Sequence, residues 1–340
     1  MIIQLKSSLT AQQKESILEK IAAIGYQSSE VRTQFAHYLV CVGKKEFDIR
    51  EIGLMEGIRD IHRVSDPYKL VSKKWRVEDT ELDLGDGVVI GRNNLTIIAG
   101  PCSIEGEAQI RSTISHLQQH GVRLMRGGVF KPRTSPYAFR GAGIEGLKAY
   151  AEHCRAAGIK VVTEVMQVSQ VEAMLEYVDI FQVGARNAQN FNLLDALGKI
   201  DKAVMLKRGI SGTVEELLQA AEYVFANGNE KIILCERGIR TFETIYRNTL
   251  DLNAVPILKE KSHLPVIVDP SHGIGLRNHV ESMALAAVMA GADGVIMEVH
   301  ECPERALSDG QQTLHYSEAA TLYEKLHKTW ELRNSFTKGL

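Results

Sequence analysis

Residues 203–238 read AVMLKRGISGTVEELLQAAEYVFANGNEKIILCERG. Two short apolar runs, AVMLKRG and KIILCERG, flank the longer segment GTVEELLQAAEYVFANG. Short apolar runs are typical of buried strands, and the longer segment has the apolar periodicity of a helix. The stretch therefore predicts a strand, a helix and a second strand parallel to the first.

The same alternation extends from residue 95 towards the C-terminus, with helical segments such as GIEGLKAYAEHCRAAG and RNHVESMALAAVMAG between the apolar runs. Eight strands, each followed by a helix, predict an α/β fold of the (β/α)8 TIM barrel type over residues 95–340. An open doubly wound sheet uses the same alternation, but it usually has fewer strands and a glycine-rich first turn, and no GxGxxG follows the first run. The eight runs are LTIIAG (95–100), VRLMRG (122–127), IKVVTEV (159–165), DIFQVG (179–184), AVMLKRG (203–209), KIILCERG (231–238), PVIVDPS (265–271) and DGVIMEVH (293–300).

Residues 1–70 predict a separate small α+β domain. In order, the segments are the strand MIIQLK, the helix TAQQKESILEKIAAIGY with Thr10 as N-cap, one or two strands in VRTQFAHYLVCVG, the helix FDIREIGLMEGIRDIHRV and a last strand YKLVS. This β-α-β-β-α-β order is that of a ferredoxin-like fold.

Residues 71–94 predict a linker with a hairpin, because ELDLGDGVVIG has two apolar runs around Gly-Asp-Gly. We interpret the hairpin as a plug across the bottom of the barrel; the alternative is a plain linker with an incidental turn.

Composition excludes several classes of protein. The formal net charge of −2 argues against a nucleic-acid-binding chain. No run of 18 apolar residues occurs, which predicts no membrane span, and the N-terminus becomes charged too early for a signal peptide. Five cysteines, an odd and sparse set, suit free thiols in a reducing compartment, so we expect a cytoplasmic enzyme.

Four potential metal ligands follow strands that meet in a closed barrel. They are Cys102 after strand 1, His272 after strand 7, Glu298 at the end of strand 8 and Asp309 in the next loop. Because strands 8 and 1 are neighbours, these side chains can converge. Thiolate, imidazole and carboxylates suit one divalent ion such as Mn²⁺, Fe²⁺, Co²⁺ or Zn²⁺. Taken singly, Cys102 could equally be a packed thiol and His272 a hydrogen-bonded loop residue.

Cationic side chains also concentrate at the strand ends. Gathering them in one barrel mouth causes mutual repulsion unless an anion binds, and the number present predicts more than one anionic group. Some of them could instead pair with Glu164, Glu236 or Asp269. The cations are Arg126, Lys131, Arg133, Arg186, Lys207, Arg208 and Arg237, and the hydroxyls of Thr134 and Ser135 stand beside Arg133 as donors.

A resemblance to a known family covers about residues 75–335, on all eight strand ends. The segments that carry it are AGPCSIE, RGGVFKPRTSPYAFRG, QVGARNAQNF, LKRG, CERGIRTFE, VDPSHG and MEVHECPERALSDGQQTL. They resemble 3-deoxy-D-arabino-heptulosonate-7-phosphate (DAHP) synthase, in its short type I-beta form with an N-terminal ferredoxin-like regulatory domain.

The resemblance implies a shikimate-pathway enzyme that condenses phosphoenolpyruvate (PEP) with erythrose 4-phosphate and water, giving DAHP and phosphate. It implies Cys102, His272, Glu298 and Asp309 as metal ligands, Lys131 as general acid, and Lys131, Cys102 and His272 as the catalytic set. Substrate contacts implied for PEP are Arg126, Lys131, Arg186, Lys207 and Arg237, and those implied for the aldose phosphate are Arg133, Thr134 and Ser135.

Two other functions stay open. One is 3-deoxy-manno-octulosonate-8-phosphate synthase, although that family normally has a KANRS-type sequence where this chain has KPRTS (131–135). The other is a non-catalytic sugar-phosphate sensor. The resemblance also implies a homotetramer and feedback inhibition by Tyr or Phe at residues 1–70, for which a purely structural or oligomer-forming domain is the alternative.

Overall fold

The computed structural model describes residues 1–91, 93–131, 137 and 139–337. The N-terminal part forms a four-stranded antiparallel sheet whose strands are, from one edge to the other, Gln27–Arg32, His37–Val42, Ile2–Leu5 and Ile58–His62. With two helices placed between its strands, this sheet confirms the ferredoxin-like prediction. Its elements are Ile2–Leu5 (β1), Ala11–Ala23 (α1), Gln27–Arg32 (β2), His37–Val42 (β3), Arg50–Gly53 (α2) and Ile58–His62 (β4).

The second half of this unit differs from the prediction. The helix expected over 47–64 is a single turn, α2, after which Gly57, at φ 91°, leads the chain into β4. Gly53 and Gly57 interrupt the helical pattern, and pairing with β1 makes the following residues a strand. YKLVS (68–72) is not a strand of this sheet; the backbone N–H groups of Leu70 and Val71 donate to the Glu222 carboxylate on the barrel.

Residues 96–300 supply eight parallel strands that form a closed sheet. The first barrel strand pairs with the last over five residues, from Thr96 opposite Gly294 to Gly100 opposite Glu298, and the seventh pairs with the eighth. The TIM barrel prediction is therefore confirmed. The strands are Thr96–Gly100 (β7), Leu124–Arg126 (β8), Lys160–Val165 (β9), Ile180–Val183 (β10), Ala203–Lys207 (β11), Ile232–Glu236 (β12), Val266–Val268 (β13) and Gly294–His300 (β14), with Leu314–His315 (β15) added beside the end of β14.

Helices follow every barrel strand. The start of the helix Val214–Ala226 illustrates the local cause: Thr213 accepts from the backbone N–H of Glu216, and the Glu216 carboxylate accepts from the backbone N–H of Thr213, which forms a capping box. None of the helices in the described part of the chain has the length and hydropathy to cross a bilayer. The helices are Glu107–Gln119 (α3), Gly143–Ala156 (α4), Val168–Met174 (α5), Phe191–Leu197 (α6), Val214–Ala226 (α7), Ala254–Lys261 (α8), Pro270–Ile274 (α9), Arg277–Met289 (α10) and Tyr316–Thr337 (α11).

A hairpin of Leu82–Asp83 (β5) and Val89–Ile90 (β6) precedes the barrel. Its turn uses Asp86 in the left-handed region, at φ 55°, between two glycines. Leu82, Val88 and Ile90 pack in one hydrophobic cluster with buried residues of all eight barrel strands, among them Ile98 and Ile180. The hairpin and the barrel strands thus share one apolar cluster.

The C-terminal end of the barrel is polar. Arg126, Lys207, Glu236 and Glu298 lie at or near the C-terminal ends of their strands, and all four are buried. Buried charges require partners or ligands, so the polar end of the barrel is where a functional site is expected.

Candidate active site

A cavity of about 200 Å³ opens at the C-terminal ends of the barrel strands. Glu164, Gln182, Asn248, His272 and Asp309 contribute to its wall. Five of the cations predicted from the sequence line it, as do two that the sequence argument did not name, Arg240 and Arg247. The seven are Arg126, Lys131, Arg186, Lys207, Arg237, Arg240 and Arg247.

The structure brings the four predicted metal ligands together at one side of this cavity. Ligand atoms of Cys102, Glu298 and Asp309 lie within 4.8 Å of one another. His272 lies beside these three: its Nε2 is 3.4 Å from Glu298 Oε1 and 3.9 Å from Asp309 Oδ2. The convergence predicted from neighbouring strands is present, whereas the role of each residue stays a prediction.

His272 is held in one orientation by Asp269. In the segment DPSHG, Asp269 caps α9: its Oδ1 accepts from the backbone N–H of His272 at 2.9 Å, and Pro270 occupies the first turn. The other oxygen, Oδ2, lies 2.8 Å from His272 Nδ1. Burial would raise the pKa of Asp269, but His272 and Lys207 outweigh it and hold that pKa well below its usual range. An ionised carboxylate only accepts, so Nδ1–H donates and Nε2 presents its lone pair to the other three groups.

The electrostatics of the ligand set depend on burial. Burial raises the pKa of the Cys102 thiol to about 11, and Glu298 adds to this effect. Burial opposes ionisation of Asp309 as well, yet Arg247 and His272 lower its pKa to about 2. Burial also lowers the pKa of His272, which favours the neutral imidazole.

These residues fit a divalent metal ion. They offer one sulfur, one nitrogen and carboxylate oxygens, and His272 has the carboxylate partner on its second nitrogen that metal-bound histidines usually have. A cation beside Cys102 would offset the burial that keeps the thiol protonated. Lys131 Nζ lies 3.0 Å from Cys102 Sγ and 2.9 Å from the Cys102 carbonyl oxygen, so an ammonium group stands next to the site.

Three of the cavity cations are paired with acids, one of them Arg247, whose Nη1 lies 3.5 Å from Asp309 Oδ1. Arg126 Nη1 donates to Glu298 Oε1 at 2.7 Å, and Lys207 Nζ donates to Asp269. Arg208 is also paired, with Glu236 and with Asp251 in the β12–α8 loop. Arg208 is not among the residues that line the cavity. The alternative of pairing with Glu236 or Asp269 therefore holds for Lys207 and Arg208, whereas Arg126 pairs with Glu298, which that alternative did not include.

Other cations have no counter-ion among the described residues. Within residues 1–91, 93–131, 137 and 139–337, no carboxylate oxygen lies within 4.0 Å of a side-chain nitrogen of Arg186, Arg237 or Arg240. Arg237 is buried and donates to the carbonyl oxygens of Gly238 and His272. Burial lowers the pKa of Arg237, so the site disfavours this charge until an anion arrives.

Arg133, Thr134 and Ser135 lie outside the described residues, so their predicted contacts with an aldose phosphate stay predictions.

Several polar residues at the site were missed by the sequence argument. Gln182 is 3% exposed and lines the cavity, and its place within the apolar run DIFQVG was the available signal. Arg240 and Arg247 lie farther along the loop after β12, beyond the residues that directly follow the strand. Gln312 and Asn248 gave no local signal, because amides are ordinary loop residues.

Glycine at position 184 accommodates Glu164. A Cβ atom on Gly184 would lie 2.1 Å from Glu164 Oε1, so a larger residue would displace this carboxylate from the cavity wall.

Comparison with known proteins gives consistent results. The model of the protein family described as "DAHP synthetase I family" matches residues 74–335 of this chain. Phospho-2-dehydro-3-deoxyheptonate aldolase of Thermotoga maritima is 44% identical over 329 residues, which is 96% of this chain and 97% of that protein. The 2-dehydro-3-deoxyphosphooctonate aldolase of Syntrophobacter fumaroxidans is 38% identical over 71% of this chain and 88% of its own.

Solved structures show the same similarity. The crystal structure of Thermotoga maritima phospho-2-dehydro-3-deoxyheptonate aldolase (DAHP synthase) has a TM-score of 0.78 at 43% identity and covers 97% of both chains. A truncated form of the Thermotoga maritima 3-deoxy-D-arabino-heptulosonate 7-phosphate synthase has a TM-score of 0.73 at 47% identity and covers 78% of this chain and 97% of its own.

Proposed function

Because the chain belongs to the DAHP synthetase I family, we propose that it condenses PEP with erythrose 4-phosphate and water, giving DAHP and phosphate, with the help of one divalent metal ion. The observation that carries the proposal is the cavity lined by Arg and Lys that borders Cys102, His272, Glu298 and Asp309. A reaction of two phosphorylated anions needs positive charge to hold the two substrates together. The Arg and Lys side chains that line this cavity supply that charge.

The cations divide the work of binding. Arg186 and Arg237 have no described counter-ion, so PEP would gain their full attraction. Arg126 and Lys207, already paired with acids, add directed N–H donors at less cost in repulsion. Together with Lys131, these residues would hold the phosphate and the carboxylate of PEP.

The chemistry then follows from PEP itself. Carbon 3 of this enol phosphate attacks the aldehyde carbon of the aldose, and a carbon–carbon bond forms while the aldehyde oxygen gains negative charge. Lys131 would give that oxygen a proton, which its ammonium 3.0 Å from the proposed metal ligand Cys102 Sγ supports. Water adds at carbon 2, and phosphate leaves with cleavage of the bond between carbon and oxygen. A bound divalent ion, most simply Mn²⁺, Fe²⁺, Co²⁺ or Zn²⁺, would supply Lewis acidity at the aldehyde.

The metal proposal has a direct test. Chelation should abolish activity, and added Mn²⁺ should restore it. Cys102→Ser should weaken Mn²⁺ binding and lower turnover sharply, because a thiolate ligand is lost. The matched control is Cys302→Ser, a half-buried cysteine whose Sγ lies 3.7 Å from a Glu304 oxygen. Full activity of metal-stripped protein would show that no metal is required.

The identity of the aldose is a separate question. The octulosonate relative at 38% identity favours arabinose 5-phosphate as the second candidate substrate, whereas the KPRTS sequence favours erythrose 4-phosphate. PEP consumption should be compared with the two aldoses at equal concentration. Faster turnover of arabinose 5-phosphate would reject the erythrose proposal, and PEP loss that does not depend on either aldose would reject the condensation.

We propose further that the N-terminal sheet is a regulatory domain that binds Tyr or Phe, in a homotetramer. A truncation should begin at Val64, since Tyr68, Leu70 and Trp75 pack in one hydrophobic cluster with residues of the barrel and should be kept. The truncated enzyme should be active and insensitive to both amino acids. If the full-length enzyme is inhibited by neither, the domain is structural, and light scattering of both forms would tell whether it holds the oligomer together.

The five cysteines are free and four of them are buried, which supports a reducing compartment such as the cytoplasm.

A further inference from the structure

Arg247 and Gln312 connect the substrate cavity to two of the proposed metal ligands. Arg247 lies on the loop between β12 and α8 and lines the cavity. Its Nη1 donates to Gln312 Oε1 at 2.6 Å and lies 3.5 Å from Asp309 Oδ1. Gln312 Nε2 in turn donates to Glu298 Oε2 at 2.7 Å.

The orientation of the Gln312 amide is determined by its two partners. Arginine can only donate, so the amide oxygen faces Arg247 and the NH2 group faces Glu298. Arg126 donates to the other oxygen of Glu298 at 2.7 Å, so both oxygens of this carboxylate are held in place. Gln312 is 3% exposed, and an amide that lost Arg247 would keep its NH2 group towards Glu298 but lose the contact that anchors its oxygen.

Asp309, like Glu298, is held in place by contacts from neighbouring side chains. It adopts a φ of 50°, in the left-handed region that residues other than glycine rarely occupy. Thr313 Oγ1 donates to the Asp309 carbonyl oxygen at 2.8 Å, and Arg247 lies beside its side chain. The contacts from Thr313 and Arg247 hold the backbone and the carboxylate of this residue, respectively.

We propose that Arg247 and Gln312 are positioning residues for the metal site, which hold Glu298 and Asp309 in the orientation that binds the ion. This inference rests on the metal ion of the proposed function. Replacing a residue that hydrogen-bonds to a metal ligand usually lowers metal affinity by about 10–100-fold. Here one arginine contacts Asp309 directly and Glu298 through Gln312.

The sign of the effect separates positioning from simple electrostatics. Arg247 carries a positive charge close to the place of a cation, so removing it should strengthen Mn²⁺ binding if only charge matters. Positioning predicts the opposite. Gln312 is neutral, so charge alone predicts no change on its replacement, whereas positioning predicts weaker binding.

The test is a calorimetric titration of Mn²⁺ into metal-stripped, full-length protein. We expect Arg247→Met and Gln312→Met to weaken Mn²⁺ binding by about 10–100-fold and Arg247→Lys to weaken it less, because lysine keeps a donor. Arg240→Met is the matched control: it removes the same charge from the same cavity, but Arg240 has no described bond to a metal ligand, so Mn²⁺ binding should not weaken.

Unchanged or tighter Mn²⁺ binding by Arg247→Met would overturn the proposal. If Gln312→Met does not fold, Arg247→Met decides alone, since its side chain is 36% exposed and its loss should leave the fold intact. Wild-type protein that does not bind Mn²⁺ would reject the metal ion of the proposed function, and the positioning role with it. Wild-type binding with unaffected variants would reject the positioning role alone.

Discussion

Asp269→Asn is a substitution of one atom that should disturb both the stability of the barrel and the metal site. The Asp269 side chain is 2% exposed and that of Lys207 is 4% exposed, so the two form a buried ion pair. Asp269 Oδ1 also caps α9 through the His272 backbone N–H at 2.9 Å, and Oδ2 meets His272 Nδ1 at 2.8 Å. An asparagine that keeps the cap must turn its NH2 group towards two donors.

The expected loss of stability comes from the uncompensated charge on Lys207. Removing one partner of a buried pair costs about 3–5 kcal/mol, and because Lys207 lines the cavity, where water reaches it, we expect a value near the lower end. Urea unfolding, followed by fluorescence, measures this difference. Asp251→Asn is the control, since the Asp251 side chain is 23% exposed and its partner Arg208 keeps Glu236, so its cost should stay below about 1 kcal/mol.

The same substitution should change the tautomer of His272. Facing an NH2 group, Nδ1 is favoured as an acceptor, which moves the ring proton to Nε2, the atom 3.4 Å from Glu298. Mn²⁺ must then displace that proton, and we expect its affinity to fall by about 10–100-fold. Wild-type Mn²⁺ affinity together with a loss of stability below about 1 kcal/mol would refute the role given to Asp269.

Arg240→Met should raise the KM for the anionic substrates several-fold with a smaller effect on kcat, because Arg240 lines the cavity without a described counter-ion. Initial rates of the variant and the wild type at low and high salt test this prediction. Because salt screens exposed charges, an equal increase in KM at low and high salt would contradict it. His263 is fully buried, its Nε2 donates to the Leu70 carbonyl oxygen and its Nδ1 accepts from Thr80, and burial lowers its pKa to about 3. The unfolded chain therefore takes up a proton below about pH 6.5 that the folded chain refuses, so the stability that neutral His263 contributes is complete above that pH and falls by up to about 1.4 kcal/mol per unit as the pH drops towards 3. Urea unfolding at several pH values should show a shallower decline for His263→Gln, and an identical decline would contradict the assignment.

Much of the site could be predicted from the chain because strand ends are recognisable. Arg126, Lys207 and Glu298 each follow an apolar run, and a closed parallel barrel places all such ends at one face. The same rule did not extend to Arg240 and Arg247, which lie in a long loop whose path no local pattern specifies. The rule also could not predict that Lys207 and Arg208, which are neighbours in the sequence, differ in environment. Lys207 lines the cavity, whereas Arg208 pairs with Glu236 away from it.

The amino-acid sequence alone determined the alternation of strands and helices, the closed barrel and the set of chemical groups at its mouth, because these depend on short-range periodicity and on the number of strands. Tertiary structure decided that residues 47–64 form one helical turn and a strand, since pairing with β1 outweighs local helical preference. It also decided which charges are paired. The partners Arg126 and Glu298 are separated by 172 positions in the chain, and their 2.7 Å contact exists only after the barrel has closed.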